Sequence, residues 1–352
     1  MGDSVLSAIE YFLSQEGKKD RYLFGCNDHS ADLASKINPT GFIDDYRSGT
    51  TFCGKPVLGG EAVPQSAIVV NCVLMAKSWA AKRRVDQLNV RFRLDYYDLL
   101  KTAPNLTPVP KFVSETICDM RDNKNHWEKL GQTLADNESR MTLSNVINFR
   151  QTADLKYLQN YSFRPVEQYF DPVCPLIDQE SFVDCGGFDG DTTAEFIRRC
   201  PKYGQVWMFE PSKENLEKAK SRLKGVRDIH FISKGVSDQE GVLGFNSGNG
   251  SASAFSETGN TSIAVTTIDK EIQEPVSFIK MDLEGWEMKA LSGVRRHINS
   301  DHPKMAIAVY HHPSDFWRIP EHIFSIRKDY KIYLRHYTEG WTETVMYFIP
   351  IK

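Results

Sequence analysis

The sequence predicts an α/β protein built from two Rossmann-like sheets, a small one and then a larger one, with a helical lead-in between them. Three observations carry this expectation. Short apolar runs such as Ala67–Val73 and Val276–Met281 recur between amphipathic, helix-like segments, as strands of a parallel sheet with covered faces do. Four strand-like runs end in a carboxylate or a histidine pair, at Asp184, Glu210, Asp282 and His311-His312. A glycine-rich turn, Cys185-Gly-Gly-Phe-Asp-Gly190, joins a strand to a helix start at Asp191-Thr192. Short polar side chains there cap orphan N–H groups.

The 352 residues exceed one average domain of about 100–150 residues. The pattern divides into a small Rossmann-like domain at 1–110, the helical lead-in at 111–170 and the larger domain at 171–352. A net charge of −3 speaks against nucleic acid as the main partner, for which a basic face is expected. Seven scattered cysteines, none in a C-x-x-C pair, fit a reducing compartment rather than a disulfide framework or a zinc site. No apolar run approaches the ~18 residues that span a bilayer, so a cytoplasmic protein is expected.

In chain order, an amphipathic helix (Val5, Leu6, Ile9, Phe12, Leu13) precedes a strand ending at Gly25. A helix at 30–37 and a strand at 41–45 with an acidic end follow. Continuous helix is expected from Ala76 to Leu100. Its cluster Lys82, Arg83, Arg84, Arg91 and Arg93 reads as a solvated face. Segments Phe24–Asn27, Phe42–Asp45 and Gly54–Val57 resemble the small Rossmann-like domains attached to sugar-modifying enzymes. The lone Gly25 leaves two roles open for this domain, holding a nucleotide or serving as a structural, homodimerising unit. Beyond the glycine turn, strands are expected at 205–210, 229–233, 276–281 and 305–310. A turn-rich meander is expected at 241–268, a helix from the Asp282 motif to about Ile298, and an antiparallel pair at 330–336 and 344–349.

Glycines let a ligand approach bare backbone, and a helix start offers N–H donors. Yet Asp184, Asp189 and Asp191 would repel a pyrophosphate, and Phe188 breaks the nicotinamide fingerprint G-x-G-x-x-G counted from Gly186. A cofactor with an amino group and a sulfonium charge, S-adenosylmethionine, suits the turn better. It would meet Asp184, Gly186, Gly187, Phe188, Asp189, Gly190, Asp191 and Thr192. Glu210 lies where an acidic strand end accepts hydrogen bonds from a ribose diol, and Asp238 is within reach of an adenine amino group.

The ordered motifs Phe182–Gly190, Phe209-Glu-Pro211, Val236-Ser237-Asp238 with Gly241, Ile279–Glu287, Tyr310-His311, Leu334–Tyr337 and Glu343–Val345 together resemble the FkbM family of methyltransferases. The resemblance spans about residues 165–350. It implies a seven-stranded class I methyltransferase sheet with its last strand antiparallel, and an S-adenosylmethionine-dependent O-methyltransferase in which Ser237, Asp238 and Asp282 join the cofactor site. The implied acceptor is a hydroxyl of a sugar, sugar nucleotide or glycan precursor.

A sugar hydroxyl is a poor nucleophile at neutral pH, so a general base is expected beside it. The candidates are Asp282 and His311, then His312 or His336. Asp282, Glu284, His311 and His312 could also converge on a divalent metal, although no spacing demands one. Trp286, Trp317 and Tyr337 are candidate sugar platforms, but core packing is the commoner use of such rings. Two other functions remain open. One is a nicotinamide-dependent sugar-nucleotide oxidoreductase or epimerase using the N-terminal turn, and the other a cofactor-binding scaffold without turnover.

Overall fold

The computed structural model describes residues 3–245 and 261–351. The chain divides into two compact units. One comprises 1–117, 145–163 and 338–342, and the other 118–144, 164–337 and 343–352.

The first unit holds six strands: β1 (Arg21–Phe24), β2 (Gly41–Ile43), β3 (Thr51–Phe52), β4 (Lys55–Leu58), β5 (Ile68–Asn71) and β6 (Phe92–Asp95). Their order is β3-β4-β2-β1-β5-β6, parallel except for the β3–β4 hairpin. Side chains alternate between two buried faces. Leu23, Phe42, Val70 and Leu94 pack on one side, and Tyr22, Phe24, Ile43 and Val69 on the other. Around them lie α1 (Asp3–Leu13), α2 (Asp28–Ile37), α3 (Ser78–Asp86) and α4 (Tyr96–Thr102).

The continuous helix expected over 76–100 is absent. Val90, Phe92 and Leu94 alternate with Arg91, Arg93 and Asp95 at strand period, and Phe92–Asp95 pairs with Ile68–Asn71 as the sixth strand. Asp95 then starts α4 through a capping box with Asp98, which restarts helix where the sheet ends. The basic side chains of this stretch are engaged. Lys82 pairs with Asp86 at 3.1 Å, Arg83 with Glu339 at 2.7 Å and Arg84 with Asp45 at 2.8 Å.

The helices α5 (Lys111–Asp122) and α7 (Asn137–Thr152) are divided between the units, while α6 (Lys124–Thr133) belongs to the second. That unit has β7 (Ser181–Cys185), β8 (Gln205–Phe209), β9 (Ile229–Ile232), β10 (Gly235–Val236), β11 (Gly241–Phe245), β12 (Thr261–Thr266), β13 (Phe278–Met281), β14 (Lys304–Ala308), β15 (Tyr330–His336) and β16 (Thr344–Pro350). Seven of them form a sheet in the order β15-β16-β14-β13-β7-β8-β9. All neighbours are parallel except β16, which runs antiparallel to both β14 and β15. Strand order therefore reverses between β7 and β13, where open α/β sheets bind ligands.

The helices of this unit are α8 (Asp191–Arg199), α9 (Lys213–Arg222), α10 (Ile268–Glu271), α11 (Glu287–Ser292), α12 (Arg295–Ser300) and α13 (Asp315–Ile326). The rings of Phe182, Phe196 and Phe278 lock β7, α8 and β13 together, with centroids 4.3 and 5.0 Å from Phe182. One helix was expected up to Ile298, but two form, separated at Gly293. A β-carbon on Gly293 would stand 2.1 Å from the Ser237 carbonyl oxygen, so the close approach of that loop breaks the helix. The expected meander is a small sheet ordered β10-β12-β11, and its residues 246–260 lie outside the described residues. Among the described residues, no helix is long and apolar enough to cross a membrane.

Candidate active site

The glycine turn leaves β7 at Gly186 (φ 78°) and enters α8 at Gly190 (φ 81°). A β-carbon on Gly186 would lie 2.0 Å from the carbonyl oxygen of Asp282. Glycine is what lets the ends of β7 and β13 close on each other at the switch point. The Gly186 and Gly187 amides donate to the Phe209 carbonyl at 3.1 and 3.0 Å, and the Phe188 amide donates to Glu210 Oε2 at 3.0 Å. Glu210 Oε1 accepts from the Ser212 amide at 2.8 Å. Burial raises the Glu210 carboxyl above its ordinary range, against the pull of these two amides. Asp189 pairs with Arg222 at 2.5 Å through Oδ2, and its buried Oδ1 has no hydrogen-bond partner. Asp191 is exposed, with Oδ1 accepting from the Thr192 amide at 2.6 Å.

Asp184 lies beneath this surface. It is fully buried, accepts from Thr193 Oγ1 at 2.7 Å and stands 3.1 Å from the Lys280 ammonium. Lys280 also donates to the Gly186 carbonyl at 2.7 Å and the Cys185 carbonyl at 3.3 Å. The pair thus fixes the turn from below, in an environment where an unpaired charge would be costly. Sequence reasoning gave Lys280 no role. Its signal was a lone lysine inside the otherwise apolar run Phe278–Met281, which demands a buried anion.

On the neighbouring loop, Ser237 Oγ donates to Asp238 Oδ1 at 3.1 Å and accepts from Trp286 Nε1 at 3.4 Å. Lys289 holds Asp238 Oδ2 at 2.9 Å and keeps that carboxyl below its ordinary range.

Beyond β13 the backbone turns through Glu284 (φ 53°) and Gly285 (φ 94°), gathering carboxylates around one imidazole. His311 Nε2 lies 3.5 Å from Asp282 Oδ1 and 3.4 Å from Glu284 Oε2, and Nδ1 lies 3.0 Å from Glu287 Oε1. Tyr169 donates its hydroxyl to Asp282 Oδ2 at 2.5 Å. The fully buried Glu287 accepts from the Leu283 amide at 2.7 Å. Burial alone would lower the His311 pKa, but the Glu287 charge, with Glu284 and Asp282, lifts it well above the usual value. Burial pushes Asp315 up to about 7. Burial and then the Asp282 charge push Glu343 up to about 7, and Gln168 donates to it.

Asp282, Glu284 and His311 thus converge, while His312 does not. Its Nε2 rests over Gly285, 2.5 Å from where a β-carbon would be. His336 is buried with Nδ1 2.9 Å from Thr344 Oγ1. Trp317 donates to Asp119 at 3.0 Å, and Tyr337 is a core residue that donates to Asp171 at 2.7 Å. Tyr169, Glu287 and Glu343 are participants that sequence reasoning did not select.

Residues 184–333 match the model of the methyltransferase FkbM domain family. The structure of methyltransferase FkbM from Methylobacillus flagellatus KT aligns with 98% of this chain and 98% of its own, at 24% identity and a TM-score of 0.74. An rRNA methylase from Streptococcus thermophilus covers 50% of this chain and 90% of its own, at 16% identity and a TM-score of 0.34. Aeropyrum pernix fibrillarin, with bound S-adenosyl-L-methionine, covers 49% and 67%, at 14% and 0.34. No curated protein matches the sequence. The likeness to the Methylobacillus protein shows the fold, and the family model covers the glycine turn, the acidic strand ends and His311. Residues 184–333 of the chain therefore match the methyltransferase FkbM domain.

Proposed function

We propose that the protein is an S-adenosylmethionine-dependent O-methyltransferase acting on a hydroxyl of a sugar, sugar nucleotide or glycan precursor. The observation that carries this reading is the crevice at the switch point. A turn with three glycines, the buried carboxylate Glu210 and the Asp282–His311 cluster all stand at the carboxyl ends of adjacent strands β8, β7, β13 and β14. The donor fits these residues. Glu210 can accept from ribose hydroxyls, the unpartnered Asp189 Oδ1 can accept from an ammonium group, and Asp238 on the next loop can accept from an adenine amino group.

When bound, the cofactor supplies a methyl group on a sulfonium sulfur that leaves as a neutral thioether. The remaining tasks fall to the protein. Holding the acceptor oxygen in line supplies much of the rate by positioning, and with no cation bound the Asp282 carboxylate beside His311 is the acceptor for the hydroxyl proton. Support for a sugar acceptor comes from the first unit's resemblance to domains of sugar-modifying enzymes. A cavity of about 400 Å³ there is lined by Gly25, Asp44, Asp45, Tyr46, Lys77 and Arg84.

Calorimetry with S-adenosylhomocysteine is the first test. Wild type should bind, and Glu210→Ala should bind at least tenfold more weakly, since a lost charged hydrogen bond is worth about 1.5–3 kcal/mol. Transfer of labelled methyl across a panel of sugar nucleotides and glycans tests the acceptor. Absence of any binding by the wild-type protein would sink the proposal.

A further inference from the structure

We propose that Asp282, Glu284 and His311 form a divalent-cation site of the Mg²⁺ or Mn²⁺ class, which holds and acidifies the acceptor hydroxyl. One ligand atom from each residue lies within 4.8 Å of the others. Carboxylates around an imidazole are not a site by themselves, but His311 is more than an ion-pair partner here. Its side chain is 8% exposed, and its Nε2 has no hydrogen-bond partner despite the surrounding carboxylates. Asp282 Oδ1 is buried and unpartnered as well.

The distances say why. A charge-assisted hydrogen bond would close to ~2.7–2.9 Å along the N–H axis. The separations from Nε2 are instead 3.5 and 3.4 Å. Ligands bound at ~2.0–2.1 Å stand ~3.0 Å apart along an octahedral edge and ~3.4 Å apart along a tetrahedral one. The two separations from Nε2 are thus longer than a charge-assisted hydrogen bond and close to the spacing of ligand atoms that share one ion.

Its surroundings agree. The Tyr169 hydroxyl occupies Asp282 Oδ2 and leaves Oδ1 to the site. Glu287 lies 3.0 Å from His311 Nδ1 and is anchored by the Leu283 amide, the carboxylate–histidine arrangement that orients metal ligands. Two carboxylates with one imidazole suit Mg²⁺ or Mn²⁺ better than a thiophilic metal. Asp282 and Glu284 keep 21% and 30% of their side-chain surface exposed. With three protein ligands, the remaining positions stay open for water and an acceptor, as at a catalytic site.

The inference rests on the methyltransferase reading and deepens it. With a cation in place, Asp282 and His311 act as ligands. The bound hydroxyl loses its proton to water on the open side because the ion lowers its pKa.

The test uses the full chain, freed of metal with a chelator and titrated with Mn²⁺ alone while free Mn²⁺ is read by electron paramagnetic resonance. One ion per chain is expected, with at least tenfold weaker binding in Glu284→Gln and His311→Gln. Broadening of the His311 ring resonances by Mn²⁺ in wild type reads the same site should a variant fail to fold. Binding in Glu284→Gln equal to wild type, or no ion retained by wild type, would overturn the site. S-adenosylhomocysteine binding measured with chelator present tests the cofactor reading separately, so either can fail alone.

Discussion

The chain leaves β1 through Gly25 at φ 93° and leaves β7 through Gly186 at φ 78°. Both turns sit beside the central strand of a parallel sheet and lead into a helix, yet their polar groups are used differently. In the first unit Asn27 Oδ1 caps the Ser30 amide at 3.1 Å, and its Nδ2 donates to the Cys72 carbonyl at 3.1 Å. The start of α2 is satisfied by its own side chains. In the second unit the N-cap of α8 is Gly190, which has no side chain to fill the space. The polar investment lies one layer down, in the Asp184–Lys280 pair. The topology alone therefore does not make a cofactor site. Of the two, the turn after β7 is the one supported from below by a buried ion pair and capped by a residue without a side chain.

The largest effect expected from breaking this contrast comes at Lys280. Lys280→Met removes the cation beside Asp184, which is 0% exposed, and stranding one member of a buried pair costs about 3–5 kcal/mol. The double variant with Asp184→Leu should recover much of that loss in denaturant unfolding. The first unit's matching pair, Arg84 with Asp45, keeps 29% and 39% of its side chains exposed, so Arg84→Met should cost no more than about 1 kcal/mol. Equal losses at the two positions would erase the distinction.

A smaller effect separates the glycines. Alanine at Gly186 must hold a positive φ and would meet a backbone oxygen at 2.0 Å, so β7 and β13 have to separate. A loss of roughly 2–4 kcal/mol is expected from strain plus displacement, with S-adenosylhomocysteine binding abolished. Alanine at Gly25 meets the Val73 Cγ2 at 2.7 Å, a side chain that can turn aside. The strain alone, about 1–2 kcal/mol, should remain. Cofactor affinity unchanged by Gly186→Ala, measured by calorimetry, would refute the role given to the turn.

These residues also show what the sequence could disclose. Strand ends and the glycine turn were legible because each is local, a run of apolar residues closed by a polar one. The convergence of Asp282 with His311 followed once strand order was implied by the family motifs. Phe92–Asp95 was read as helix because a four-residue strand between two helices leaves only two periods of alternation. Tyr169 was invisible as a participant, since it lies 113 positions from Asp282 and nothing near it in sequence marks it as polar machinery. Glu287 was quoted within a motif, but its burial and aim at His311 depend on how α11 packs, and no local pattern reports that.

The smallest effect tests whether a strand-end carboxylate has a function by removing its charge. Asp95 ends β6 as Glu210 ends β8, and burial pushes its carboxyl up to about 6, even with Lys82 at 3.7 Å. Its folded pKa therefore lies above the ordinary aspartate value of about 3.8. Below about 6 the folded chain takes up a proton that the unfolded chain does not bind until about 3.8, so stability is gained as pH falls through that window. Above about 6 the buried charge remains a burden. At about 1.4 kcal/mol per pH unit, that window caps the burden at about 3 kcal/mol. Asp95→Asn keeps an N-cap for α4 and should stabilise the protein at pH 7 by about 1 kcal/mol, after the loss of Lys82. At pH 4 the variant and wild type should unfold at nearly the same denaturant concentration, because Asp95 is then already neutral. Glu210→Gln should do the opposite, leaving stability little changed and weakening cofactor binding. A destabilising Asp95→Asn, alike at both pH values, would show that the first unit needs this charge as much as the second needs Glu210.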